Sequence, residues 1–465
     1  MPNKTFSIRT YGCQMNERDS EVLANRLVAH GYRPAEDEKS ADIVVVNSCS
    51  VRGKAEDKAL GKIGLLCAER RDRPGLIVGL MGCMAQRLGP DVFKRVPGLS
   101  FSVGTRAAVK IPELLARIQS GEDHLCETAV LDDEESRESL HDSYASPEHL
   151  AVLTQPVSAF VTILLGCNRR CAYCIVPDVR GDEHSRHPDE ILHEVRELVA
   201  AGVRDVTLLG QSVMNYGRRD FQWPAHIPSP MGFTEPLPRL FELIAREVPG
   251  LARIRFTSSH PSGVTDELAR ALREIPTVCP HVHMAMQSGS DRVLKAMRRG
   301  YDAAGYLAAV AKLRAAVPAI AITTDVIVGF PGETEADFED TRRVMDEAGF
   351  DNAFIFKYSP RPGTPAAEME DDVSEAEKAR RNQVLLEDQD VRGLAINARF
   401  VDTTTEVLAE GPSLRNADRW SGRNPQNKIV VFDPPPDIVP GDLVPIHVVE
   451  VHPQTLFGDP TKPPR

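Results

Sequence analysis

The sequence predicts an α/β chain of three units. These are an N-terminal α/β domain on a small parallel sheet, a central partial (β/α)6 barrel, and a small all-β barrel at the C-terminus. Strand-like and helical segments alternate through the first 120 residues, and six further strand–helix pairs follow; the helices then give way to short strands divided by Gly- and Pro-rich turns. A chain of 465 residues is also too long for one ordinary core. The expected boundaries are 1–120, an acidic linker at 121–150, 151–392 and 393–460.

Composition narrows the class. With 42% hydrophobic and 26% charged residues the chain reads as a soluble globular protein. No run of eighteen apolar residues predicts a membrane span, and Met1–Phe6 leads into a strand without a signal peptide's apolar core, so a cytoplasmic location is expected. Nine cysteines, an odd number in a long chain, point to metal ligands or catalysts before disulfides. A net charge of −12 argues against indiscriminate nucleic-acid binding but leaves room for a local basic groove.

In the N-terminal domain, strands are expected at Thr5–Thr10, Ile43–Val46 and Leu76–Leu80, with helices at Glu17–His30, Lys54–Arg70 and from about Pro90. Each strand runs into a cysteine-bearing loop: Tyr11-Gly12-Cys13-Gln14-Met15-Asn16, Asn47-Ser48-Cys49-Ser50-Val51-Arg52, and Met81-Gly82-Cys83-Met84-Ala85-Gln86-Arg87. Ligands of open α/β folds gather at the carboxyl ends of parallel strands, so these three cysteines converge at one edge. A lone cysteine there would be ordinary packing; three of three strand ends favour a metal site. Cys67 sits in a helix and is expected to be core, and neither Cys126 nor Cys279 has a comparable setting.

The central strands are expected at Phe160–Leu165, Val203–Leu209, Arg253–Phe256, Val282–Met286, Ile320–Val328 and Asn352–Tyr358. The helices are His187–Ala200, Pro238–Arg246, Thr265–Glu274, Asp291–Met297, Ala303–Ala316 and Glu335–Ala348. Six such units make a curved sheet two short of the full eight, with functional residues at the strands' C-terminal ends. The first strand ends in Cys167, Cys171 and Cys174, a C-x3-C-x2-C triplet. Zinc would need a fourth ligand, and His184 and His187 are not at a ligand's usual spacing. Three thiolates on a four-iron cluster would leave one iron open to a small molecule. The helix Ser374–Val391 bridges to strands at Thr405–Ala409, Lys428–Phe432 and Leu443–Val451, a five-stranded barrel of a kind that often binds RNA.

On the cysteine triplet, the central domain resembles the radical S-adenosylmethionine (SAM) superfamily. The N-terminal cysteine loops and Tyr358-Ser359-Pro360-Arg361-Pro362-Gly363-Thr364, with the final barrel of the TRAM type, extend the resemblance over nearly the whole chain to the methylthiotransferase family. This resemblance implies two [4Fe–4S] clusters, one on Cys167, Cys171 and Cys174 with SAM on its open iron, the other on Cys13, Cys49 and Cys83 carrying the sulfur. Tyr173 would lie beside the adenine, Gln211 at the methionine amino group, and Gln287, Gly329 and Gly332 at ribose and adenine. One SAM would methylate the sulfur and a second would generate a 5′-deoxyadenosyl radical.

Gly12-Cys13-Gln14-Met15-Asn16 resembles the branch that modifies carbon 2 of N6-isopentenyladenosine 37 in the tRNA anticodon stem-loop. The alternatives are threonylcarbamoyl-adenosine 37, a ribosomal-protein aspartate, or an RNA-binding iron–sulfur redox sensor. Ser212 and Met214 stand where the family commonly has asparagine, Ala285 where it has proline, and Gly53 where it has glutamate. Arg415, Arg419, Trp420, Arg423 and Lys428 are candidates to hold the stem backbone. A reductant such as flavodoxin or ferredoxin, a sulfur or cluster donor protein, no membrane and a monomeric state complete the expectation.

Overall fold

The computed structural model describes residues 4–50, 53–129, 157–257 and 260–461. The acidic segment 130–150 and Val51-Arg52, both singled out above, lie outside the described residues. The chain forms two compact units: residues 1–154, 160–169 and 174–197, and residues 155–159, 170–173 and 198–465.

In the first unit, β1 (Thr5–Tyr11), β2 (Arg33–Pro34), β3 (Ile43–Ser48), β4 (Ile77–Met81), β5 (Phe101–Val103) and β6 (Leu125–Glu127) make one parallel sheet in the order β2-β1-β3-β4-β5-β6. The central strands Ile43-Val44-Val45-Val46 and Ile77-Val78-Gly79-Leu80 are buried on both faces, which their continuous apolar runs require. Side chains alternate between faces, so Ile43 and Val45 join Leu23, Leu27 and Leu114 on one side, while Val44 and Val46 join Ile63, Leu66 and Val92 on the other. Helices α1 (Gln14–Ala29), α2 (Gly53–Glu69), α3 (Cys83–Leu88), α4 (Val92–Arg95) and α5 (Ile111–Gln119) belong to this unit. Two expectations change here. Residues 125–127, assigned to a linker, add a sheet strand by pairing Phe101 with Leu125, and a separate short helix, α3, opens at Cys83 ahead of the helix expected from about Pro90, which is the single turn α4.

The chain resumes at β7 (Ser158–Thr162). Also in the first unit are the hairpin of β8 (Leu164–Leu165) and β9 (His184–Ser185), the short helix α6 (Val176–Arg180), and α7 (Pro188–Ala200) up to residue 197. Glu194 on α7 accepts from Arg18 on α1 and from Arg186, each at 2.6 Å, with all three side chains buried. Removing one partner of such a network leaves a buried charge uncompensated.

In the second unit, β10 (Asp205–Leu209) pairs in parallel with β11 (Arg253–Phe256), and β12 (His281–His283), β13 (Ala321–Val328) and β14 (Asn352–Lys357) form a parallel ladder. Between β11 and β12 the described ladder thins to the bridge Ile254–Val278, beside Pro280, which has no amide proton to donate. Helices α8 (Pro236–Glu247), α9 (Asp266–Glu274), α10 (Asp291–Ala296), α11 (Ala303–Ala316) and α12 (Glu335–Ala348) follow their strands as expected. Along β13, Thr324, Val326 and Val328 are buried while Thr323, Asp325 and Ile327 are only partly covered, an alternation that sets an inner face apart from the helix-packed one.

Helix α13 (Glu375–Asn397) leads to a closed barrel of β15 (Thr404–Pro412), β16 (Trp420–Arg423), β17 (Ile429–Phe432), β18 (Leu443–Val451) and β19 (Thr455–Pro460), ordered β15-β16-β17-β19-β18. The sequence had marked three of these strands; β16 and β19 carry weaker apolar alternation. The barrel is tied to the beginnings of the central strands. Arg255 donates to the carbonyls of Asn424 (2.9 Å) and Pro425 (3.2 Å), Arg253 to those of Arg423 and Glu406, and Lys428 pairs with Asp351 at 2.7 Å, 8% and 11% exposed. Lys428→Ala should therefore destabilise this unit by about 3 kcal/mol, read as an earlier thermal transition; an unchanged transition would place the barrel's attachment elsewhere.

Candidate functional site

The three N-terminal cysteines arrive as the strand order dictates. Cys13 follows β1 and is the N-cap of α1, Cys49 follows β3, and Cys83 opens α3 after Gly82. Cys49 and Cys83 are 1% and 3% exposed. Beneath them Asn16 and Asn47 are fully buried and satisfy one another. The Asn16 Nδ2 donates to Asn47 Oδ1 at 3.1 Å, Asn47 Nδ2 donates to the Asn16 carbonyl at 2.8 Å, and Asn16 Oδ1 accepts from the Cys13 thiol at 3.5 Å. Gly82 has φ +95°, and a Cβ there would press on the Ser48 carbonyl at 2.9 Å, so only glycine allows this crossing.

A hydrogen bond from Cys49, the charge of Arg180 and the amides of α1 bring the Cys13 thiol down to about 6 against the cost of burial. Burial pushes Cys83 up, with Arg180 opposing. Arg180 is 5% exposed and anchored to Asp19 on α1 at 2.6 Å. Its helix α6 is held by Thr105 Oγ1 on the Val179 carbonyl (2.6 Å) and Arg106 Nε on the Arg180 carbonyl (3.0 Å), and Ile175 and Val179 pack on Cys83. No sequence pattern marks Arg180; the nearby signal is Gly181, at φ +73°.

Among the described residues, no three His, Cys, Asp or Glu side chains already stand at metal-ligand spacing. The N-terminal thiols interact pairwise, and none of the nine cysteines forms a disulfide. The donor set itself, three thiols with one depressed by a neighbouring thiol and a cation, suits a thiolate-bound cluster.

In the C-x3-C-x2-C loop, Cys167 and Cys171 are each 8% exposed and Cys174 is partly buried. Gly166 (φ +76°) makes the turn, and the Cys167 amide donates to the Gly181 carbonyl at 3.0 Å. Cys167 and Cys174 belong to the first unit and Cys171 to the second. Within the second, Arg299 Nη1 donates to Cys171 Sγ at 3.3 Å and to the Tyr173 hydroxyl at 3.4 Å. Tyr173 packs with Met297, Phe330 and Tyr358, which places the Phe330 loop and the Tyr358 motif around one aromatic ring. Arg299 belongs to no motif legible in the sequence.

The other expected cofactor contacts fall at strand ends. Gln211 Oε1 and Ser212 Oγ, after β10, are buried without a hydrogen-bond partner among the described residues. Buried polar atoms are rarely left so, and this pair suits a ligand bearing N–H donors, as the SAM amino group does. Gln287 is 8% exposed with φ +69°, a conformation uncommon outside glycine, and bridges in parallel to Val326. Gly329 and Gly332 have φ of +71° and +80°; the Gly329 amide donates to Glu333 Oε1 at 3.1 Å, and the aliphatic stem of Lys378 lies against its α-carbon. These glycines shape the turn, leaving backbone as the only surface they offer.

The five barrel residues fare differently. Arg415 is exposed, Arg419 is paired with Asp433 at 2.9 Å, and Trp420 is half-buried against the barrel core. Arg423 lies 3.4 Å from Glu410. Lys428 is buried in its ion pair with Asp351, which uses its charge inside the fold and corrects its expected place on a phosphate-facing surface.

Residues 161–345 match the Radical SAM superfamily, 5–104 an uncharacterised protein family, UPF0004, and 398–461 the TRAM domain. The fold is similar to that of a radical S-adenosylmethionine methyltransferase, TsrM, from Kitasatospora setae. At 15% identity the match covers 79% of this chain and 74% of that one, with a TM-score of 0.54. The central domain is thus a radical SAM domain, which implies a [4Fe–4S] cluster and SAM.

Relatives named tRNA-2-methylthio-N(6)-dimethylallyladenosine synthase include one from Akkermansia muciniphila, 44% identical over 97% of this chain and 98% of its own length. Others are from Opitutus terrae (42%, 97% and 96%) and Methylacidiphilum infernorum (41%, 97% and 94%). The chain belongs to the family of these synthases.

In metal-free reduced protein, Cys13 should react with iodoacetamide with a half-maximal rate near pH 6, the thiolate forming above that pH. Burial pushes Cys67 and Cys279 up to about 11, so they should stay inert at neutral pH. Peptide mass spectrometry across a pH series checks this, and equal labelling of all three at pH 7 would contradict it.

Proposed function

We propose that the protein transfers a methylthio group to carbon 2 of N6-isopentenyladenosine at position 37 of tRNA. The observation that carries the reading is the presence of two separate thiol triads. One is the radical SAM loop of Cys167, Cys171 and Cys174; the other is Cys13, Cys49 and Cys83 at three strand ends, with Arg180 beside Cys13 and Cys83. A superfamily cluster needs only the first triad, so the second calls for a separate task. The names of the 40–44% identical relatives supply that task, sulfur insertion into a prenylated adenosine.

Carbon 2 of adenine has an unactivated C–H bond, beyond ordinary nucleophilic chemistry. When bound, two [4Fe–4S] clusters and SAM supply the electron, the carbon-centred radical and the sulfur. The protein's own residues hold and orient. Cys167, Cys171 and Cys174 would hold one cluster, and Cys13, Cys49 and Cys83 would hold the other. Gln211 and Ser212 offer their unpartnered oxygens to the SAM amino group. Tyr173, beside Phe330, supports the adenine, with Gln287 and the Gly329–Gly332 turn at its edge. The target base leaves the anticodon-loop stack, and Arg415, Arg419, Trp420 and Arg423 are left as the barrel's RNA contacts, Lys428 being spent internally. A low-potential electron donor such as flavodoxin or ferredoxin and a sulfur or cluster donor protein serve a cytoplasmic monomer.

With anaerobically reconstituted protein and prenylated tRNA, Cys171→Ala should lose all formation of 5′-deoxyadenosine. Cys13→Ala should retain it but yield no 2-methylthio nucleoside by mass spectrometry. Equal cofactor cleavage in both variants would overturn the division between the triads.

A further inference from the structure

Arg299 is a buried cation with one donor nitrogen directed at a cysteine sulfur. It is 8% exposed, and its Nη1 reaches Cys171 Sγ at 3.3 Å and the Tyr173 hydroxyl at 3.4 Å. The rest of the fork is held in place: Nε donates to the Tyr301 hydroxyl at 3.0 Å and Nη2 to the Ala285 carbonyl at 3.1 Å. Tyr301 is fixed in turn, donating to the carbonyls of Ala285 (3.1 Å) and Met286 (2.7 Å). His260 sits behind, its Nε2 at 3.2 Å from the Arg299 carbonyl and its ring edge-on to Tyr301. Among the described residues, no carboxylate accepts from Arg299; its donors meet a thiol, two phenols and a carbonyl.

We infer that Arg299 is a positioning residue that sets the reduction potential of the cluster held by Cys171 while anchoring Tyr173 through the same nitrogen. The inference rests on the reading of Cys167, Cys171 and Cys174 as cluster ligands. Reduction adds one negative charge to a buried cluster. A guanidinium a hydrogen bond away from a ligand sulfur stabilises the reduced form more than the oxidised form, and charge and hydrogen bonds to sulfur are the protein's main means of moving such potentials. Arg299 therefore raises the potential, bringing the cluster within reach of a soluble one-electron donor. Holding Tyr173 ties that tuning to the aromatic support for the adenine, so loss of Arg299 affects both electron entry and cofactor affinity.

The test uses full-length protein in which Cys13, Cys49 and Cys83 are all alanine, so that a single cluster is observed. Arg299→Met, Arg299→Gln and Arg299→Lys are compared with this parent by iron and sulfide content and by redox titration followed by electron paramagnetic resonance. Arg299→Met is expected to show about tenfold less reduced cluster at a given poise, a shift of about 59 mV for a one-electron couple. Arg299→Lys, which keeps the charge, should stay near the parent, and the SAM concentration for half-maximal signal change should rise in Arg299→Met. Should Arg299→Met not retain iron, Arg299→Gln against Arg299→Lys decides in its place. Equal potentials in all variants, with iron retained, would overturn the inference while leaving the ligand assignment standing. Absence of any four-iron cluster in the parent would overturn the ligand assignment, and the inference with it.

Discussion

The structure depends on one constraint: thiols placed at the ends of buried strands can carry negative charge only where a cation or a donor faces them. An isolated thiolate in a low-dielectric interior is costly, and burial alone raises a thiol's pKa. Cys67 and Cys279 show that outcome, both pushed up by burial. The two triads are treated differently. Arg180 faces Cys13 and Cys83, and Arg299 donates to Cys171. Each arginine is locked by contacts that do not depend on the sulfur, through Asp19 for Arg180 and through Tyr301 and Ala285 for Arg299.

That constraint also explains α6. It directly follows the radical SAM loop in sequence, yet its residues Ile175, Val179 and Arg180 pack on and face the N-terminal thiols. A five-residue helix has little stability of its own. Here Thr105 and Arg106 hold its carbonyls, and Asp19 holds its last side chain.

The C-terminal barrel obeys a related rule. Arg253 and Arg255 begin β11 and are buried, so their donors require acceptors; the carbonyls of Glu406, Arg423, Asn424 and Pro425 provide them. A turn that in isolation reads as a basic RNA contact is drawn into the fold by that demand. The barrel sits at the strand starts, while the cysteine loop, Gln211 and Gln287 occupy strand ends.

Local pattern made much of this legible. The apolar runs of β3 and β4, the strand at Arg253–Phe256 and the helices Ala303–Ala316 and Glu335–Ala348 follow from periodicity that neighbouring residues share. The C-x3-C-x2-C spacing, with the Gly-Cys loops, was enough to indicate the superfamily and the class of target. Weak alternation hid β16 and β19, and β6 was lost in an acidic stretch because its partner β5, three residues long, is too short to show a period. By itself, then, the sequence determined the three-part architecture and the family, because periodicity, cysteine spacing and strand ends are local properties. Only the tertiary structure decided which arginines act on those thiols and which lysine is consumed in an ion pair. Arg180 and Asp19 are 161 residues apart, and Arg299 and Cys171 are 128. The charge felt by a sulfur depends on what packing brings within hydrogen-bond reach, and no local pattern records that.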